Sequence, residues 1–545
     1  MFKISINNQV RSFDQKVRAF QLMDVPNFNI IACTVNNRLR ELSFEISQDS
    51  NVEFLTLDND ESMKIYESSL RYLFAMATNR VFPELNIKFN YHISRSIFCK
   101  VLGDKVFNQS MLSKIQEEME RLVALDLPIQ RQVVTKEEAA EVYRTNHLLD
   151  KIDVLPYRPE KTVHLYQCDG YLNYMYSYMV LSTGYLKHFK LRLYSPGILI
   201  QYPRAERGGI IPPFEDEPTY GQTLKKANLW AKTCKSETIA EINEHVSNGG
   251  TVDFVNMCET RHNNSLAELG NIIARNIDST RVIAIAGPSS SGKTTFSHRL
   301  RIELMTRGIH PVKVSIDDYY LDRDQIQPDE NGKYDFEDIN TIDIDLFNQH
   351  LLALINGEEV DMPIFNFKEG RRIRTQKVRI SAYSPIIIEG IHALNEILTS
   401  SIPRDQKFKI YIAPHIQTNL DNHNPISVTQ FRLLRRLVRD HKFRGFDAEK
   451  TISVWNSVRR GEFKWIYENQ EGVDYVFNSE LSYELCVMKK HALPLLQKID
   501  KNSEYYITAN SLVKFLKYFK DIEDWLVPCN SLLREFIGES CFADV

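Results

Sequence analysis

The stretch that decides the fold is residues 281–295, RVIAIAGPSSSGKTT. Its apolar run VIAIA is typical of a buried parallel strand, and GPSSSGKT has the G-x-x-x-x-G-K-T pattern of a phosphate-binding P-loop. Beyond the loop, Phe296, Leu300 and Leu304 recur every fourth residue and predict a helix. Strand, glycine loop and helix in this order are the context that a P-loop needs.

The residue types in this loop suit a nucleoside triphosphate. In a P-loop the backbone N–H groups and the positive end of the helix face the phosphate oxygens. Lys293 is predicted to contact the β- and γ-phosphates, and the Thr294 hydroxyl is predicted to bind Mg²⁺. The predicted nucleotide-binding residues are Gly287, Pro288, Ser289, Ser290, Ser291, Gly292, Lys293, Thr294 and Thr295.

The composition is that of an ordinary soluble protein. The chain has 545 residues, of which 43% are hydrophobic and 25% charged, a length that suggests three or four domains. A net charge of -4 gives no global positive field for nucleic acid or an anionic membrane, although a local basic patch is compatible with it. The eight cysteines form no C-x-x-C pair, so we expect reduced, mostly buried thiols.

We expect a cytoplasmic protein without a membrane partner. The N-terminal MFKISINNQVRSF lacks the apolar segment of a signal peptide. No apolar run approaches the roughly 20 residues of a membrane-spanning helix.

The first 60 residues predict a small β-rich unit. Residues 2–6 alternate in polarity, and two further apolar runs follow at residues 30–35 and 52–55. From residue 61 the spacing becomes helical, up to about residue 81, and a second helix is predicted at 110–124. The sequence TKEE, beginning at Thr135, predicts a capping box that opens a third helix.

The N-terminal sequence resembles a family of tRNA synthetases. Residues 1–60 are similar to a TGS domain, and SSLRYLFAMATNRVFP, EEMERLVALDLPI and STGYLKHFKL are similar to the second additional domain of threonyl-tRNA synthetase. In that family an H-x-x-x-H pair and a later Cys…His pair carry the editing chemistry. The corresponding positions hold Ser68, Tyr72, Met175 and Met179. The resemblance therefore implies a degenerate domain without editing activity.

Two acidic positions follow runs that are predicted as strands. Residues 311–316 alternate in polarity and are followed by Asp317 and Asp318, and the apolar residues 385–388 are followed by Glu389. Ligands of open α/β sheets bind at the carboxyl ends of strands. Asp317 is therefore a candidate to accept a hydroxyl proton or to hold Mg²⁺, and Glu389 a candidate Mg²⁺-binding or water-positioning group. For Asp318, a solvated acidic turn is an equally open interpretation.

A fourth run at residues 408–413 completes a parallel βαβ pattern, so the predicted class is α/β.

Further along, FRLLRRLVRDHKFR predicts a helix with apolar residues on one side. Arg432, Arg435, Arg436 and Arg439 gather on the other side. One interpretation is a lid that closes on the transferring phosphoryl group, and the alternative is a solvated basic face with RNA affinity. With only one acid nearby in the sequence the arginines would repel each other unless an anion were bound, which favours the lid.

These motifs together resemble the phosphoribulokinase/uridine kinase family. GPSSSGKTT, SIDDYY, YDFEDINTID, IIIEGIHALN, RLLRRLVRDHKFRG and VRRGE occur in the family's order over roughly residues 281–496. More closely, the chain resembles nucleoside kinases that carry a threonyl-tRNA synthetase-like front end. The resemblance implies ATP- and Mg²⁺-dependent phosphorylation of the 5′-hydroxyl of a nucleoside, with uridine as the first candidate.

The resemblance also implies roles for individual residues. Asp317 becomes the general base, Tyr320 a neighbour of the acceptor and Glu337 the partner of the ribose hydroxyls. The Mg²⁺ ligands would be Thr294, Asp317 and Glu389, and the phosphate-binding side chains Lys293, Arg432 and Arg435. The base-recognition stretch is residues 363–370, where the family's tyrosine and histidine are replaced by Phe365 and Gly370. Phe365 and Phe367 can stack on a base, but the two polar side chains that would form hydrogen bonds with the edge of the base are missing.

The expected organisation has five segments. They are a TGS-like domain at 1–60, a degenerate editing-like domain at 61–195, a proline-rich connector at 196–261, a P-loop kinase domain at 262–496 and a helical tail at 497–545. Other functions stay open at this point. The acceptor is a nucleoside or another small alcohol, or the chain is an RNA-binding or regulatory protein with an ATP-sensing P-loop. A homo-oligomer and nucleic-acid binding through the N-terminal half are also compatible with the sequence.

Overall fold

The first sixty residues form a β-sheet unit, as the alternating runs predict. The computed structural model describes residues 1–7, 9–25, 27–326, 337–366, 369–381 and 384–542. The first strands are β1 Phe2–Ile6, β2 Gln9–Phe13, β3 Val17–Arg18, β4 Ile30–Val35, β5 Arg38–Arg40, β6 Glu45–Ile46 and β7 Ser50–Thr56. The main sheet has the order β2-β1-β7-β4-β5, in which only β1 and β7 run parallel. Its assignment as a TGS domain stays a prediction.

The next region mixes helices with two antiparallel sheets. Its elements are α1 Asp60–Val81, β8 Ile87–Ile93, β9 Ser96–Val101, α2 Gln109–Ala124, β10 Gln130–Thr135, α3 Lys136–Thr145, α4 Leu149–Val154, β11 Thr162–Cys168, β12 Tyr171–Asn173, β13 Lys190–Tyr194 and β14 Gly197–Gln201. The sheets have the orders β13-β14-β9-β8 and β10-β11-β12. The predicted capping box is confirmed, because Thr135 Oγ1 accepts from the Glu138 N–H at 3.2 Å while the Glu138 carboxylate accepts from the Thr135 N–H at 2.8 Å.

The segment predicted as a connector contains helices. They are α5 Pro218–Thr233, α6 Ile239–Ser247 and α7 Thr251–Arg275. The boundary expected near residue 262 falls inside α7, so the connector and the P-loop region share one continuous helix.

The P-loop strand lies in the middle of a five-stranded parallel sheet. This region contains β15 Val282–Ala286, α8 Lys293–Met305, β16 Val312–Ser315, α9 Ile344–Ile355, β17 Val360–Asn366, β18 Arg371–Val378, β19 Ile386–Glu389, β20 Lys407–Ala413, β21 Asn419–Asp421, β22 Asn424–Pro425, α10 Val428–Arg439, α11 Ala448–Trp465, β23 Tyr475–Asn478 and α12 Glu484–Leu496. The sheet order is β16-β19-β15-β20-β23, and every pairing is parallel. The predicted strands are confirmed, whereas β23 was not predicted.

The C-terminal tail belongs to the same core as the P-loop region. Its helices are α13 Tyr506–Leu516 and α14 Arg534–Ile537. One hydrophobic cluster buries residues of three regions: Leu512 and Phe536 of the tail, Leu300 and Leu437 of the P-loop region, and Tyr143 of the N-terminal half.

The eight cysteines are free thiols, six of them buried, in agreement with the expectation. Within the described part of the chain, no helix has the length and apolarity needed to span a membrane.

One arm of the P-loop region is inserted into the N-terminal half. The arm is residues 414–426, which contain β21 and β22 and are largely buried. Its Asn422 carbonyl accepts from the Phe89 N–H at 2.8 Å. Lys151 of α4 forms an ion pair with Asp421 at 2.7 Å, and the two side chains are only 1% and 2% exposed. Burial alone would raise the pKa of Asp421, but the Lys151 ammonium outweighs it and the pKa is lowered.

The buried ion pair predicts a large stability effect from one substitution. Lys151→Met leaves the Asp421 carboxylate buried without its cation, which costs about 3–5 kcal/mol in comparable pairs. We expect the midpoint of thermal unfolding, measured by calorimetry, to fall by several degrees. The exposed Lys161→Met is the control. Equal midpoints for the two variants would show that the pair contributes nothing to holding the arm.

Candidate nucleotide-binding and phosphoryl-transfer site

The P-loop connects β15 to α8 at the carboxyl edge of the parallel sheet. Gly287 passes so close to the next strand that a Cβ built on it would lie 1.9 Å from the Ile412 carbonyl oxygen. Gly292 has a φ of +91°, a conformation that other residues rarely adopt. Both glycines of the motif are therefore required by the backbone itself.

The loop presents three buried hydroxyl groups toward which the described part of the chain directs no hydrogen bond. Among the described residues, none forms a hydrogen bond to Ser290 Oγ, Ser291 Oγ or Thr295 Oγ1, although all three atoms are buried. Buried polar atoms are normally satisfied. Together with the N–H groups at the start of α8, they fit the oxygens of a bound phosphate chain.

Lys293 is held against its own loop. Its ammonium donates to the carbonyl oxygens of Gly287 at 2.9 Å and Pro288 at 3.4 Å. Burial lowers the pKa of Lys293, and the carboxylates of Glu389 and Asp317 act in the opposite direction. The side chain is thus already directed along the loop that a triphosphate would occupy.

The acids at the strand ends converge beside the loop. Asp317 follows β16, Glu389 ends β19, and the Thr294 hydroxyl lies 3.5 Å from Glu389 Oε1. Burial raises the pKa of both carboxyl groups, and Lys293 counteracts the shift in each. Nowhere in the described ranges do three His, Cys, Asp or Glu side chains cluster to hold a metal by themselves. Mg²⁺ commonly uses one or two carboxylates with substrate phosphates, so Thr294, Asp317 and Glu389 fit that cation.

Glu337 lies near the same acids. Its side chain packs on α11 at Gly461, where an added Cβ would come within 2.5 Å of the Glu337 Cβ. Burial raises the pKa of Glu337 to about 7, with Arg436 lowering it and Glu462 and Asp317 raising it. The carboxyl group therefore titrates near neutral pH.

Two of the predicted acceptor residues, Tyr320 and Phe365, lie close together. The Tyr320 and Phe365 rings are 5.8 Å apart, and the Phe365 N–H donates to Asp318 Oδ1 at 3.1 Å. Asp318 thus fixes the β17–β18 hairpin, so the interpretation as a merely solvated acid is wrong. Gly370 has a φ of +68° and packs against the Arg323 side chain. The predicted Phe367 lies outside the described residues.

The arginines of α10 have carboxylate partners that the sequence argument omitted. Arg432 forms a buried ion pair with Glu462 and donates to the Ser289 carbonyl at 3.2 Å. Arg435 makes a bidentate pair with Glu484 at 2.7 and 2.6 Å and also donates to the Ser290 carbonyl at 3.3 Å.

The charge argument for a lid was therefore wrong, because Asp440 is not the only anion beside α10. Arg432 and Arg435, both almost fully buried, support the P-loop from behind.

A second group of arginines lies nearer to the predicted catalytic acids. Arg436, Arg439 and Arg444 gather on the buried Asp440, at 3.1, 2.8 and 3.7 Å. Arg439 and Arg444 act electrostatically on Asp317, lowering its pKa. Asp440 thus collects three guanidinium groups, and Arg436 also lies within electrostatic reach of Glu337 and Glu462.

The four positions that correspond to the editing residues are filled core positions. Ser68, Tyr72, Met175 and Met179 are all buried. The Tyr72 hydroxyl donates to the carbonyl of Tyr171 at 2.9 Å. The correspondence of these positions to the editing residues, and the loss of editing chemistry that it implies, stay predictions.

A cavity of about 800 Å³ lies between the N-terminal half and the P-loop region. Arg131, His164 and Tyr178 line it from one side, and Arg459 and Lys514 from the other. Lys293, Asp317 and Glu389 do not line it, whereas Arg432, which donates to the Ser289 carbonyl of the P-loop, does.

Sequence reasoning missed three acids of the site. Glu462 and Glu484 pair with the arginines, and Glu535 of the tail accepts from the Thr295 N–H at 3.0 Å. Glu462 is the E of the quoted VRRGE, and its position shortly after Arg459 and Arg460 was a usable signal. Glu484 and Glu535 had no comparable signal.

The fold and the loop define a P-loop nucleotide-binding protein with acids at neighbouring strand ends. Residues 282–482 match the profile described as the Phosphoribulokinase / Uridine kinase family. A uridine kinase of Schizosaccharomyces pombe is 33% identical over 189 residues, 34% of this chain and 37% of that protein. A uridine kinase of Histophilus somni is 29% identical over 199 residues, 36% of this chain and 85% of that protein.

The N-terminal region has a different relative. A threonine–tRNA ligase of Carboxydothermus hydrogenoformans is 28% identical over 190 residues, 34% of this chain and 30% of that protein. The chain thus spans about a third of the length of this ligase and of the S. pombe kinase. Its C-terminal region is homologous to the phosphoribulokinase/uridine kinase family and its N-terminal region to threonyl-tRNA synthetases.

The geometry of Gly292 predicts a selective loss of nucleotide binding. In Gly292→Ala the new Cβ would require a strained positive φ and would lie 2.4 Å from Leu532 Cδ2. We expect ATP affinity, measured by calorimetry, to fall at least about tenfold. Gly308→Ala is the control, because Gly308 also has a positive φ but no described atom lies within 4 Å of the added Cβ. A similar loss of affinity in both variants would point to general destabilisation instead.

Proposed function

We propose that the C-terminal region transfers the γ-phosphoryl group of ATP to the 5′-hydroxyl of a nucleoside, with uridine as the first candidate. The observation that carries this proposal is the edge of the parallel sheet. There the P-loop, Glu389 and Asp317 follow the adjacent strands β15, β19 and β16. Phosphoryl transfer needs mainly positioning and charge neutralisation, and this edge offers groups for both.

Asp317 is the proposed general base. It lies in a half-buried turn beside the P-loop, and burial raises its pKa towards the range useful for proton transfer. As the acceptor oxygen attacks the γ-phosphorus, the bond from that phosphorus to the β–γ bridging oxygen breaks, ADP leaves, and the hydroxyl proton passes to the Asp317 carboxylate. Asp317 is thereby assigned to the proton, and Glu389 and Thr294 to the cation.

Several cations would neutralise the phosphate chain. Lys293 moves from its loop carbonyls to the phosphate oxygens, and Mg²⁺ supplies further positive charge to those oxygens when bound. Arg439 and Arg444 would serve the transferring group, because they lie within electrostatic reach of Asp317. Arg432 and Arg435 are reassigned to holding the loop.

The acceptor would lie between Glu337 and the Tyr320–Phe365 pair. An ionised Glu337 can accept hydrogen bonds from the two ribose hydroxyls, and Phe365 offers an aromatic face to a base. A different small alcohol would use Asp317 and the phosphate-binding groups in the same way. The residues that would distinguish a nucleoside from another alcohol are therefore Glu337, Tyr320 and Phe365.

The first prediction for this function is a loss of turnover in Asp317→Asn. We expect kcat to fall about 10²–10⁴-fold without loss of folding, because the amide cannot take the proton. ADP release from ATP and Mg²⁺ would be measured with a panel of nucleosides and other alcohols. Lys293→Ala should abolish release, and the exposed Asp324→Asn serves as the matched control.

The panel separates the alternatives. Release that requires uridine or cytidine supports the nucleoside kinase. Release triggered only by another alcohol would leave the phosphotransferase standing and refute the nucleoside. Wild-type turnover in Asp317→Asn would remove Asp317 from the mechanism.

Glu337 predicts a pH-dependent affinity for the acceptor. Its pKa of about 7 means that it is mostly ionised at pH 8 and mostly protonated at pH 6. If only the carboxylate accepts both ribose hydroxyls, the Kd for uridine rises about tenfold from pH 8 to pH 6. Calorimetric titration with uridine would measure this without any catalytic step. Glu337→Gln should bind weakly at both pH values, and an unchanged slope in that variant would assign the titration to another group.

A further inference from the structure

The C-terminal segment Ser531–Ile537 (residues 531–537) lies directly on the P-loop. Its Glu535 Oε2 accepts a hydrogen bond from the Thr295 backbone N–H at 3.0 Å. Thr295 is the third residue of α8, so its N–H has no carbonyl partner within the helix. This N–H belongs to the donors with which a P-loop binds phosphate. A carboxylate of the same chain therefore occupies a predicted phosphate position.

A second contact places the segment against the loop itself. The Leu532 side chain covers Gly292, since a Cβ built on this glycine would lie 2.4, 2.6 and 2.8 Å from three Leu532 carbons. Leu532 and Glu535 thus approach the same turn of the P-loop from one side. The approach is not an isolated side-chain contact.

The backbone of the segment is firmly held. Ser531 Oγ donates to Glu259 Oε1 at 2.5 Å, and Arg534 donates to the carbonyls of Asp524 and Val527 at 2.8 and 2.7 Å. Phe536 is fully buried and packs on the Arg435 guanidinium, 5.0 Å from its ring centre. Only the end of the Glu535 side chain can leave the loop at low cost.

We propose that Glu535 is an internal competitor for the phosphate chain of the donor nucleotide. This rests on the proposed function insofar as the P-loop binds a nucleoside triphosphate. The carboxylate holds the Thr295 N–H in the free protein, and a phosphate must displace it. Two anions cannot share one donor in a buried site without strong repulsion. Only the molecules in which Glu535 has left the Thr295 N–H can bind the phosphate chain. The apparent affinity for nucleotide is therefore reduced by the fraction of the free protein that is in this state.

The competing explanation is that Glu535 only caps α8. Carboxylates at helix N-termini are stabilising for that reason alone. A cap predicts that loss of the charge lowers stability and leaves nucleotide affinity as it was. A competitor predicts that loss of the charge raises the affinity for nucleotide, because the Thr295 N–H is then free to bind a phosphate.

The test is Glu535→Gln in the full chain, with Glu539→Gln as the matched control. The glutamine keeps the shape and can still accept from the Thr295 N–H, but it carries no charge. Glu539 is 83% exposed, lies four residues further along the chain, just beyond this segment, and forms an ion pair with Arg534 at 3.0 Å rather than with the P-loop. ATP with Mg²⁺, and inorganic tripolyphosphate separately, would be titrated by calorimetry in the absence of any acceptor.

We expect Glu535→Gln to bind both probes at least tenfold more tightly, a change of 1.4 kcal/mol, and Glu539→Gln to match the wild type. Glu535→Asp, which withdraws the carboxylate by one methylene, should give an intermediate gain. It provides a second variant if the glutamine protein does not fold. Unchanged or weaker binding in both Glu535 variants would overturn the proposal and leave a helix cap.

The outcome is separable from that of the proposed function. Tighter binding without turnover on any acceptor would support the competitor and refute the kinase. Turnover on a nucleoside, with equal affinities of wild type and Glu535→Gln for ATP and tripolyphosphate, would support the kinase and refute the competitor. No binding of either probe by any variant would overturn both.

Discussion

The bidentate pair between Arg435 and Glu484 is the contact on which the nucleotide-binding loop depends. Both side chains are excluded from water, and the same guanidinium donates to the carbonyls of Ser290 and Ser291. A buried arginine without its carboxylate would be a large energetic penalty inside the core. The pair therefore keeps α10 in one position, and with it the rear of the loop whose N–H groups face the phosphates.

From α10 the packing continues in both directions along the chain. Before the helix, the arm of residues 414–426 enters the N-terminal half and is fixed there by the Lys151–Asp421 pair. Beyond it, Phe536 of the tail packs on the Arg435 guanidinium. The synthetase-like half, the P-loop region and the tail thus form a contiguous set of packed elements.

Local patterns were sufficient for the P-loop, the parallel strands and the capping box at Thr135, because each depends on residues close together in sequence. The partners of the arginines were not accessible in that way. Helical periodicity shows which side chains share a face but not which element that face contacts. Glu462 is 30 residues from Arg432, Glu484 is 49 from Arg435, and Glu535 is 240 from Thr295. Those pairings arise only when the helices and the tail pack together. The candidate roles of Asp317 and Glu389 followed from their positions at strand ends, the role of Glu337 came from family resemblance, and all three stay proposals.

The mixed hydrophobic cluster has a consequence for whether the regions of this chain can be separated from one another. The family match ends at residue 482, two residues before Glu484, while the cluster continues to Ile537. A fragment cut at the family boundary would leave Arg435 unpaired and would uncover the apolar surface beneath α13 and α14. The kinase-like region is therefore not a portable module. In this chain the front half and the tail are packed parts of the structure that carries the P-loop.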